Sequence, residues 1–315
     1  MSQEGWRALS SREFDAKRAL RPPKKTLVLA CVLFGLTLLT CLAAGRQFAV
    51  SYANNQAASF DEFGRSMVLL YKDPMALLAG LPFALTLMTI LLAHELGHFF
   101  ACRHHHIHSS YPFFLPAPTL IGTMGAFILI RSPIRSRRAL FDVGASGPLV
   151  GFVLAVPALI YGVMHAKVVP GLTNQAEIAF GAPLLLQWLG HFFYPGVAPR
   201  TLLMDPVGRA AWVGLFATSL NLLPAAQLDG GHILRSLSPR VHRVLTRSLP
   251  IGLIVLGYFG SGVWYFWAAL LLLIGFLRVA PVYDDTPLDT GRKIGALVTL
   301  AVFLVCFMPV PILNF

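Results

Sequence analysis

The segment HELGH places two histidines and one glutamate close together in an apolar stretch of the chain. His94 and His98 are four residues apart, so on a helix their imidazole rings lie on one face and can bind one metal ion. Glu95 projects about 100° further round the helix, within reach of a water molecule at that metal without being a ligand. This pattern is typical of zinc-assisted hydrolysis, in which a carboxylate takes a proton from the attacking water.

The surroundings of HELGH make a purely structural role for these side chains costly. The preceding residues, 81 to 93, are mostly apolar. An ionisable group at the centre of a membrane costs about 2.5–3.5 kcal/mol on insertion scales. Three such groups within five residues therefore indicate a functional use, with histidines hydrogen-bonded inside a helix bundle as the alternative.

A catalytic zinc ion usually has three protein ligands, so a third donor must come from elsewhere in the chain. Cys102 is one candidate, because it lies one turn after His98. Asp229 is the other, in NLLPAAQLDGGHIL, where Pro224 ends an ordinary helix and Gly230 permits a tight turn. A helix-capping role explains an aspartate in such a turn equally well, so the residues alone leave the third ligand open.

Membrane helices are the elements that would position these residues. Of the 315 residues 56% are hydrophobic and 12% charged, which is about half the charged fraction of soluble proteins. Apolar segments occur at 26–44, 77–102, 140–164, 183–193, 207–224, 249–279 and 294–313. We expect an all-α polytopic membrane protein with about six or seven transmembrane helices. Hydropathy does not decide whether 249–279 forms one tilted helix or a tight pair.

The basic residues predict which side of the membrane each loop faces. The net charge of +11 lies in blocks beside apolar segments, which favours positive-inside topology and anionic lipid headgroups over a nucleic-acid partner. With an inner N-terminus, the arginines that fall inside are Arg103, Arg131, Arg135, Arg137, Arg138, Arg235, Arg240, Arg243 and Arg247. The HELGH and LDG motifs then both face the cytosolic side. The four cysteines form no CxxC pair and indicate no disulfide framework.

Two motifs together resemble the site-2 protease family of intramembrane zinc metalloproteases. HELGH is followed on a later helix by N-x-x-P-x-x-x-L-D-G, filled here by Asn221, Pro224, Leu228, Asp229 and Gly230. The resemblance covers most of residues 75–310. GTMGAF (122–127), GASGPLVG (144–151) and the DD…RK region (284–293) are similar to the plastid and cyanobacterial-like branch. Many family members have Asn where this chain has Gly151, so the role of that Asn is not carried over.

The family resemblance implies a fold, an activity and a set of site residues. It implies an endopeptidase that hydrolyses peptide bonds in or near transmembrane helices of membrane proteins or peptides. One Zn²⁺ per chain would be bound by His94, His98 and Asp229, with Glu95 as the catalytic base. Asn221 would contact the substrate or the oxyanion. The residues expected to support the site structurally are Gly147, Pro148, Pro224 and Gly230.

The stretch GTMGAFILI has the glycine and apolar content of a short re-entrant strand or hairpin, which a membrane tolerates only where protein covers its backbone. As in the family, it would pair with the substrate as an added strand. The substrate-contacting residues would then be Gly122, Thr123, Met124 and Gly125. A merely structural membrane-dipping loop is the alternative.

Two other functions remain open. A zinc or proton transporter would also keep ionisable residues in its helices, although charged residues should then line a path through several of them. The second alternative function is a non-catalytic membrane chaperone. The intact HELGH and LDG motifs argue against it. The histidines of RHHHIHSS (His104, His105, His106 and His108) are interpreted as interface anchors rather than a second metal site. His232 could support the metal ligands or face solvent.

We divide the chain into a cytosolic basic tail (1–25), a first transmembrane helix with an external loop (26–73), a catalytic transmembrane core (74–248) and C-terminal transmembrane helices (249–315). A plastid protein would begin with a Ser- and Arg-rich transit peptide, which the N-terminus does not resemble. We therefore expect a bacterial inner membrane, with the active site toward the cytosol.

Overall fold

The protein is a helix bundle built around the helix that carries HELGH. The computed structural model describes residues 24–172, 178–275 and 286–314, so most of the predicted basic tail lies outside the described residues. Its α-helices are α1 (Lys24–Ala53), α2 (Phe60–Lys72), α3 (Leu81–His104), α4 (Arg137–Met164), α5 (Leu184–Phe193), α6 (Pro206–Asn221), α7 (Asp229–Leu237), α8 (Pro239–Phe259), α9 (Val263–Gly275) and α10 (Thr290–Cys306). Short 3₁₀ helices cover Pro74–Gly80 and Pro199–Thr201.

Three small antiparallel sheets accompany the helices, each made of two strands. The strands are β1 (Phe113–Pro116), β2 (Thr123–Phe127), β3 (Lys167–Val168), β4 (Ile178–Phe180), β5 (Leu202–Leu203) and β6 (Ile312–Asn314). They pair as β1 with β2, β3 with β5 and β4 with β6. The β1–β2 hairpin is the strand structure that the sequence predicted in GTMGAF.

The prediction of a mainly helical membrane protein is confirmed, but the number of crossings is not. Among the described residues, three helical segments are long and apolar enough to cross a membrane; they lie in α1, in Pro74–His104 and in α4. α6, α9 and α10 have 16, 13 and 17 residues. These lengths fall short of the roughly 20 residues that a perpendicular crossing needs.

The region from 249 onward, which hydropathy left undecided, contains a tight helical pair. α8 ends at Phe259, and α9 begins four residues later and packs back against it. At Gly257 a Cβ atom would lie 2.8 Å from the ring of Tyr265, so the two helices need glycine at this contact. The Trp264 indole N–H donates to the carbonyl of Pro309 at 2.6 Å, which fixes the turn of the pair against the end of the chain.

The two ends of the last helix, α10, are held by different parts of the bundle. At its start, Arg292 donates two hydrogen bonds to Asp142 in the first turns of α4, and His105 lies 2.7 Å from the same carboxylate. Beyond its other end, β6 pairs with β4, in the segment between α4 and α6. The described C-terminal strand therefore lies at the end of α10 that is remote from Asp142.

Close helix contacts bring the inner ends of α3, α4 and α6 together. On α3, a Cβ atom at Gly97 would lie 2.7 Å from the carbonyl oxygen of Ser146 on α4. At the other end of α4, a Cβ atom at Gly162 would lie 2.1 Å from Cα of Gly208 on α6. Small residues at such contacts let backbones approach closely inside membranes. This packing is what positions the HELGH motif beside the end of α6.

Candidate metal centre

Three donor atoms, two from α3 and one from the start of α7, converge where α3, α4 and α6 meet. The Nε2 atoms of His94 and His98 are 3.1 Å apart, and each lies 3.3 Å from Oδ2 of Asp229. Tetrahedral zinc with bonds of about 2.0–2.1 Å separates its ligand atoms by about 3.3 Å. All three residues are largely buried, with 6%, 7% and 16% of their side chains exposed. The donor triangle therefore fits a zinc ion, and two imidazoles with one carboxylate are ligands that zinc accepts.

The backbone of α4 holds His98 in the orientation that a metal ligand needs. Its Nδ1 atom lies 2.7 Å from the carbonyl oxygen of Val143. Because a carbonyl only accepts hydrogen bonds, Nδ1 carries the proton and Nε2 presents its lone pair to the metal position. Sequence reasoning missed Val143, since a backbone carbonyl acceptor leaves no signature in residue type.

A glycine of α4 makes room for the same imidazole. A Cβ atom at Gly147 would lie only 2.1 Å from Nε2 of His98, and one at Gly151 would lie 3.2 Å from Nδ1 of His94. Gly147 is thus placed where the sequence predicted a supporting residue, and Pro148 is buried beside it in α4. At Gly151 the backbone of α4 therefore passes close to His94.

Asp229 reaches the histidines because the chain breaks between α6 and α7. α6 ends at Asn221, Pro224 lies in the following loop, and Asp229 is the first residue of α7. At Gly230 a Cβ atom would lie 2.0 Å from the carbonyl oxygen of Leu222, so the loop can fold over the start of α7 only with glycine there. The predicted break after α6 is confirmed.

A contact with α8 fixes the loop that precedes Asp229, which we call the ligand loop (residues 222–228). Ala226 has a φ of +51°, a left-handed conformation that is costly for a residue other than glycine. Its N–H donates to Oγ1 of Thr246 at 3.0 Å, and its carbonyl lies 3.0 Å from Nε2 of His242. Thr246 and His242 are one turn apart on the same face of α8. The sequence offered no signal for this contact beyond that spacing.

The catalytic candidate Glu95 lies next to the ligands, and a polar amide lies opposite. Glu95 is 4% exposed. The Asn221 side-chain nitrogen Nδ2 is 3.2 Å from Nε2 of His94, at the end of α6. Both residues line the two cavities described below. A carboxyl group and a side-chain amide thus lie beside the three donor atoms.

A long apolar cavity of about 530 Å³ opens on one side of the centre. It is bounded by the β2 strand and by apolar side chains of α3, α6 and α9; among them are Leu91, Val213, Phe216, Leu220, Phe266 and Trp267. His94, Glu95 and Asn221 form its polar end. The cavity therefore leads from apolar surroundings directly to the groups that could do chemistry.

The β1–β2 hairpin forms one wall of this apolar cavity. Thr123, Met124 and Gly125 line it, whereas Gly122 does not. Gly122 has a φ of +82°, and a Cβ atom there would lie 2.6 Å from Cα of Cys41, so it packs against α1. Within the described residues β2 pairs only with β1, which leaves the other edge of β2 free of a strand partner.

A smaller cavity of about 180 Å³ meets the centre from the inner side. It shares His94, Glu95 and Asn221 with the apolar cavity. Gln227 and His232 also line it, so His232 faces this cavity beside the metal ligands. A polar cavity of this size has room for several water molecules.

The other candidate ligands lie elsewhere. Cys102 is fully buried in a separate apolar cluster with Ile107 and Ala139. Among the described residues, His94, Glu95 and His98 form the one group of three or more potential ligands whose donor atoms lie within 4.8 Å of one another. In the run after α3, His105 contacts Asp142, and its neighbours His104, His106 and His108 are exposed.

Comparison with known proteins agrees with this geometry. The sequence pattern of peptidase family M50 matches residues 82–257. The chain is 27% identical over 303 residues to "Probable zinc metalloprotease EGY1, chloroplastic" of Oryza sativa subsp. japonica, which covers 90% of this chain and 50% of that protein. It is 31% identical over 241 residues to "Probable zinc metalloprotease EGY2, chloroplastic" of Arabidopsis thaliana, which covers 74% of this chain and 42% of that protein.

This chain thus spans half or less of the length of these two relatives. No solved structure matches it. Both relatives are named as chloroplastic, so the bacterial inner membrane expected from the sequence gains no support from them.

Proposed function

The chain belongs to peptidase family M50, and on this premise we propose that it is a zinc-dependent intramembrane endopeptidase. Its substrates would be membrane proteins or peptides, cut in or near a transmembrane helix. The observation that carries the proposal is the triangle of His94, His98 and Asp229 donor atoms, with edges of 3.1–3.3 Å, at the end of an apolar cavity.

His94, His98 and Asp229 would hold the zinc ion. When bound, the ion supplies Lewis acidity that polarises a carbonyl group and makes a neighbouring water easier to deprotonate. The hydrogen bond from His98 Nδ1 to the Val143 carbonyl supports this role, since it fixes the ring nitrogen that faces the ion.

Glu95 would move the proton during hydrolysis. Its carboxylate takes a proton from the attacking water as the water oxygen bonds to the scissile carbonyl carbon. The same carboxyl group then gives the proton to the amide nitrogen as the C–N bond breaks. Asn221 would donate from Nδ2 to the oxygen of the former carbonyl as negative charge develops on it. The shared position of both residues at the junction of the two cavities supports these roles.

The free edge of β2 would hold the substrate in an extended form. A helix conceals its carbonyl groups in its own hydrogen bonds, so a peptide bond must be unwound before water can attack it. Strand addition supplies main-chain partners to the unwound segment and directs alternate side chains toward opposite faces. Thr123, Met124 and Gly125 would make these contacts, with the apolar side chains of the substrate in the 530 Å³ cavity.

Water would reach Glu95 through the smaller cavity. Its 180 Å³ volume and its polar lining residues Gln227 and His232 support this route. This cavity would lie on the basic, inner side of the membrane, which the positions of the arginine segments favour. The names of the relatives favour a plastid membrane over the bacterial inner membrane as the compartment.

The test measures bound zinc per chain and cleavage of a transmembrane peptide, using the full chain in detergent. Glu95→Gln should keep zinc and lose cleavage, because Glu95 moves protons and binds no metal. Asp229→Ala should lose both, because a two-histidine site binds zinc weakly. Gln227→Ala, a neighbouring residue that is no ligand, should keep zinc and serves as the matched control.

A transporter would give a different pattern. Wild-type chain would bind zinc and cleave nothing, and Glu95→Gln would change zinc flux into vesicles. That combination would replace the protease proposal. Membership of a peptidase family does not favour it.

A further inference from the structure

α8 has two different faces at its inner end. One face carries the buried His242 and Thr246, which hold the ligand loop. A neighbouring face, about 110° further round the helix at 100° per residue, carries Arg240, Arg243 and Arg247, all exposed, at positions i, i+3 and i+7. We call these three residues the arginine face.

The arginine face is an open surface of α8. Its three arginines are accompanied by Val244, Ser248 and Ile251 of the same helix, and none of these six residues is acidic. Among the ion pairs found in the described part of the chain, none joins these arginines to a carboxylate. Within the described residues this surface therefore concentrates positive charge without a paired carboxylate.

Directly beyond the arginines the same side of α8 becomes apolar. Ile251 is 64% exposed, Val255 50% and Phe259 81%. From Arg247 to Phe259 the helix rises about 18 Å. Half of the hydrocarbon core of a bilayer is about 15 Å thick. With Phe259 toward the membrane interior, the arginines stand at the level of the lipid headgroups.

We propose that the arginine face binds the phosphate of an anionic phospholipid in the inner leaflet, with an acyl chain along Ile251 and Val255. Guanidinium groups match phosphate oxygens with paired hydrogen bonds, and among the described residues no carboxylate pairs with these three arginines. A soluble nucleic acid or acidic peptide would match the arginines but would leave the adjoining apolar surface uncovered. A phospholipid matches both parts.

The bound lipid also acts on the active site, because the neighbouring face of α8 holds Ala226 in the ligand loop. A phosphate bridging three successive turns of α8 restrains the helix segment from which Thr246 and His242 project. This restraint keeps Asp229 in place. This second half of the inference rests on the proposed protease function, whereas lipid binding does not.

The binding test compares three forms of the full chain in detergent: wild type, R240Q/R243Q/R247Q, and R131Q/R135Q/R138Q. The last variant removes the same charge from another inner segment, whose arginines are also exposed. Affinity for phosphatidylglycerol is measured by native mass spectrometry and lipid titration. A surface arginine strengthens binding of an anionic lipid about fivefold, so the α8 variant should bind about 100-fold more weakly. The control variant should change little.

Equal loss in both variants would overturn the proposal, because binding would then reflect net charge alone. Displacement of the lipid by inorganic phosphate at similar affinity would also overturn it, since it would reveal a free-anion site. Retained zinc in the α8 variant confirms that its fold is intact.

The functional arm measures cleavage in vesicles of phosphatidylcholine with and without phosphatidylglycerol. Wild type and the control variant should cleave faster with phosphatidylglycerol, while the α8 variant should cleave equally in both. Specific binding with lipid-independent cleavage would overturn the link to the active site and leave the binding site standing. If no form cleaves in any vesicle, the proposed function fails together with that link, and the binding result is judged separately.

Discussion

Replacing Gly147 by alanine tests how tightly α4 fits the metal ligand His98. The added Cβ atom would lie 2.1 Å from Nε2 of His98 and 2.5 Å from the two neighbouring ring carbons. An ordinary contact needs at least 3.4 Å, so the ring or the helix must move by about 3.4 − 2.1 = 1.3 Å. The ring cannot move away freely, because its Nδ1 atom is hydrogen-bonded to the carbonyl oxygen of Val143, which lies on α4 like Gly147.

The size of the effect follows from this displacement. A shift of about 1.3 Å is more than half of a zinc–nitrogen bond of about 2.0 Å. Loss of an orienting hydrogen bond alone lowers metal affinity about 10–100-fold, and a misplacement of about 1 Å lowers catalysis about 100-fold. We therefore expect Gly147→Ala to weaken zinc binding at least 100-fold and to lose measurable cleavage.

Two other glycines supply matched controls for the assay. Gly151→Ala places Cβ 3.2 Å from His94, which needs only a few tenths of an ångström of movement, so zinc affinity should fall less than tenfold. Gly252→Ala lies on α8 with nothing within 4 Å of its Cβ position and should behave as wild type. Zinc affinity is measured by competition with a fluorescent chelator, and folding by thermal unfolding. Wild-type zinc affinity in Gly147→Ala, or a larger loss in Gly151→Ala, would refute the reasoning.

Three further predictions concern the supports of the site. Thr246→Val leaves the Ala226 N–H without its acceptor. The free energy of unfolding should therefore fall by about 1–3 kcal/mol, and zinc should bind more weakly. Ser248→Ala on the same helix should change neither, and equal effects would contradict the assigned contact. Arg292→Lys cannot reproduce the paired hydrogen bonds to Asp142, so the melting temperature should fall by a few degrees while zinc stays bound. Removing zinc with a chelator should lower the melting temperature reversibly; an unchanged melting temperature would mean that zinc does not bind the folded chain.

The sequence predicted those parts of the site that depend on local spacing. His94, Glu95 and His98 lie within five consecutive positions of one helix, so their relative positions follow from helix geometry alone. The break after α6 was equally predictable from the sequence, because Pro224 cannot continue a helix and Gly230 permits a tight turn. Their predicted positions agree with the structure.

The third ligand and its supports depend on packing between distant segments, which residue patterns do not encode. The residues alone left Asp229 open between a metal ligand and a helix cap, and the family resemblance favoured the ligand. The packing of α7 against α4 brings Asp229 to 3.3 Å from the histidines. The Val143 carbonyl and the contact of Thr246 with Ala226 involve backbone atoms, which every residue has. The helical pair in the C-terminal region was undecided because a single tilted helix and two short helices have the same hydropathy.

Hydrolysis within a membrane requires water and an apolar substrate to meet at one carboxylate, and the two cavities satisfy both requirements. The apolar cavity ends at Glu95, and so does the polar cavity, with the Asn221 amide at the same junction. Each ionisable group placed at this depth costs about 2.5–3.5 kcal/mol unless it is paired or solvated. His94, His98 and Asp229 lower that cost by contacting one another, while Glu95 borders the polar cavity through which we propose that water enters. Filling the polar cavity should therefore stop hydrolysis and leave zinc and peptide binding intact, which separates the supply of water from the other functions of the site.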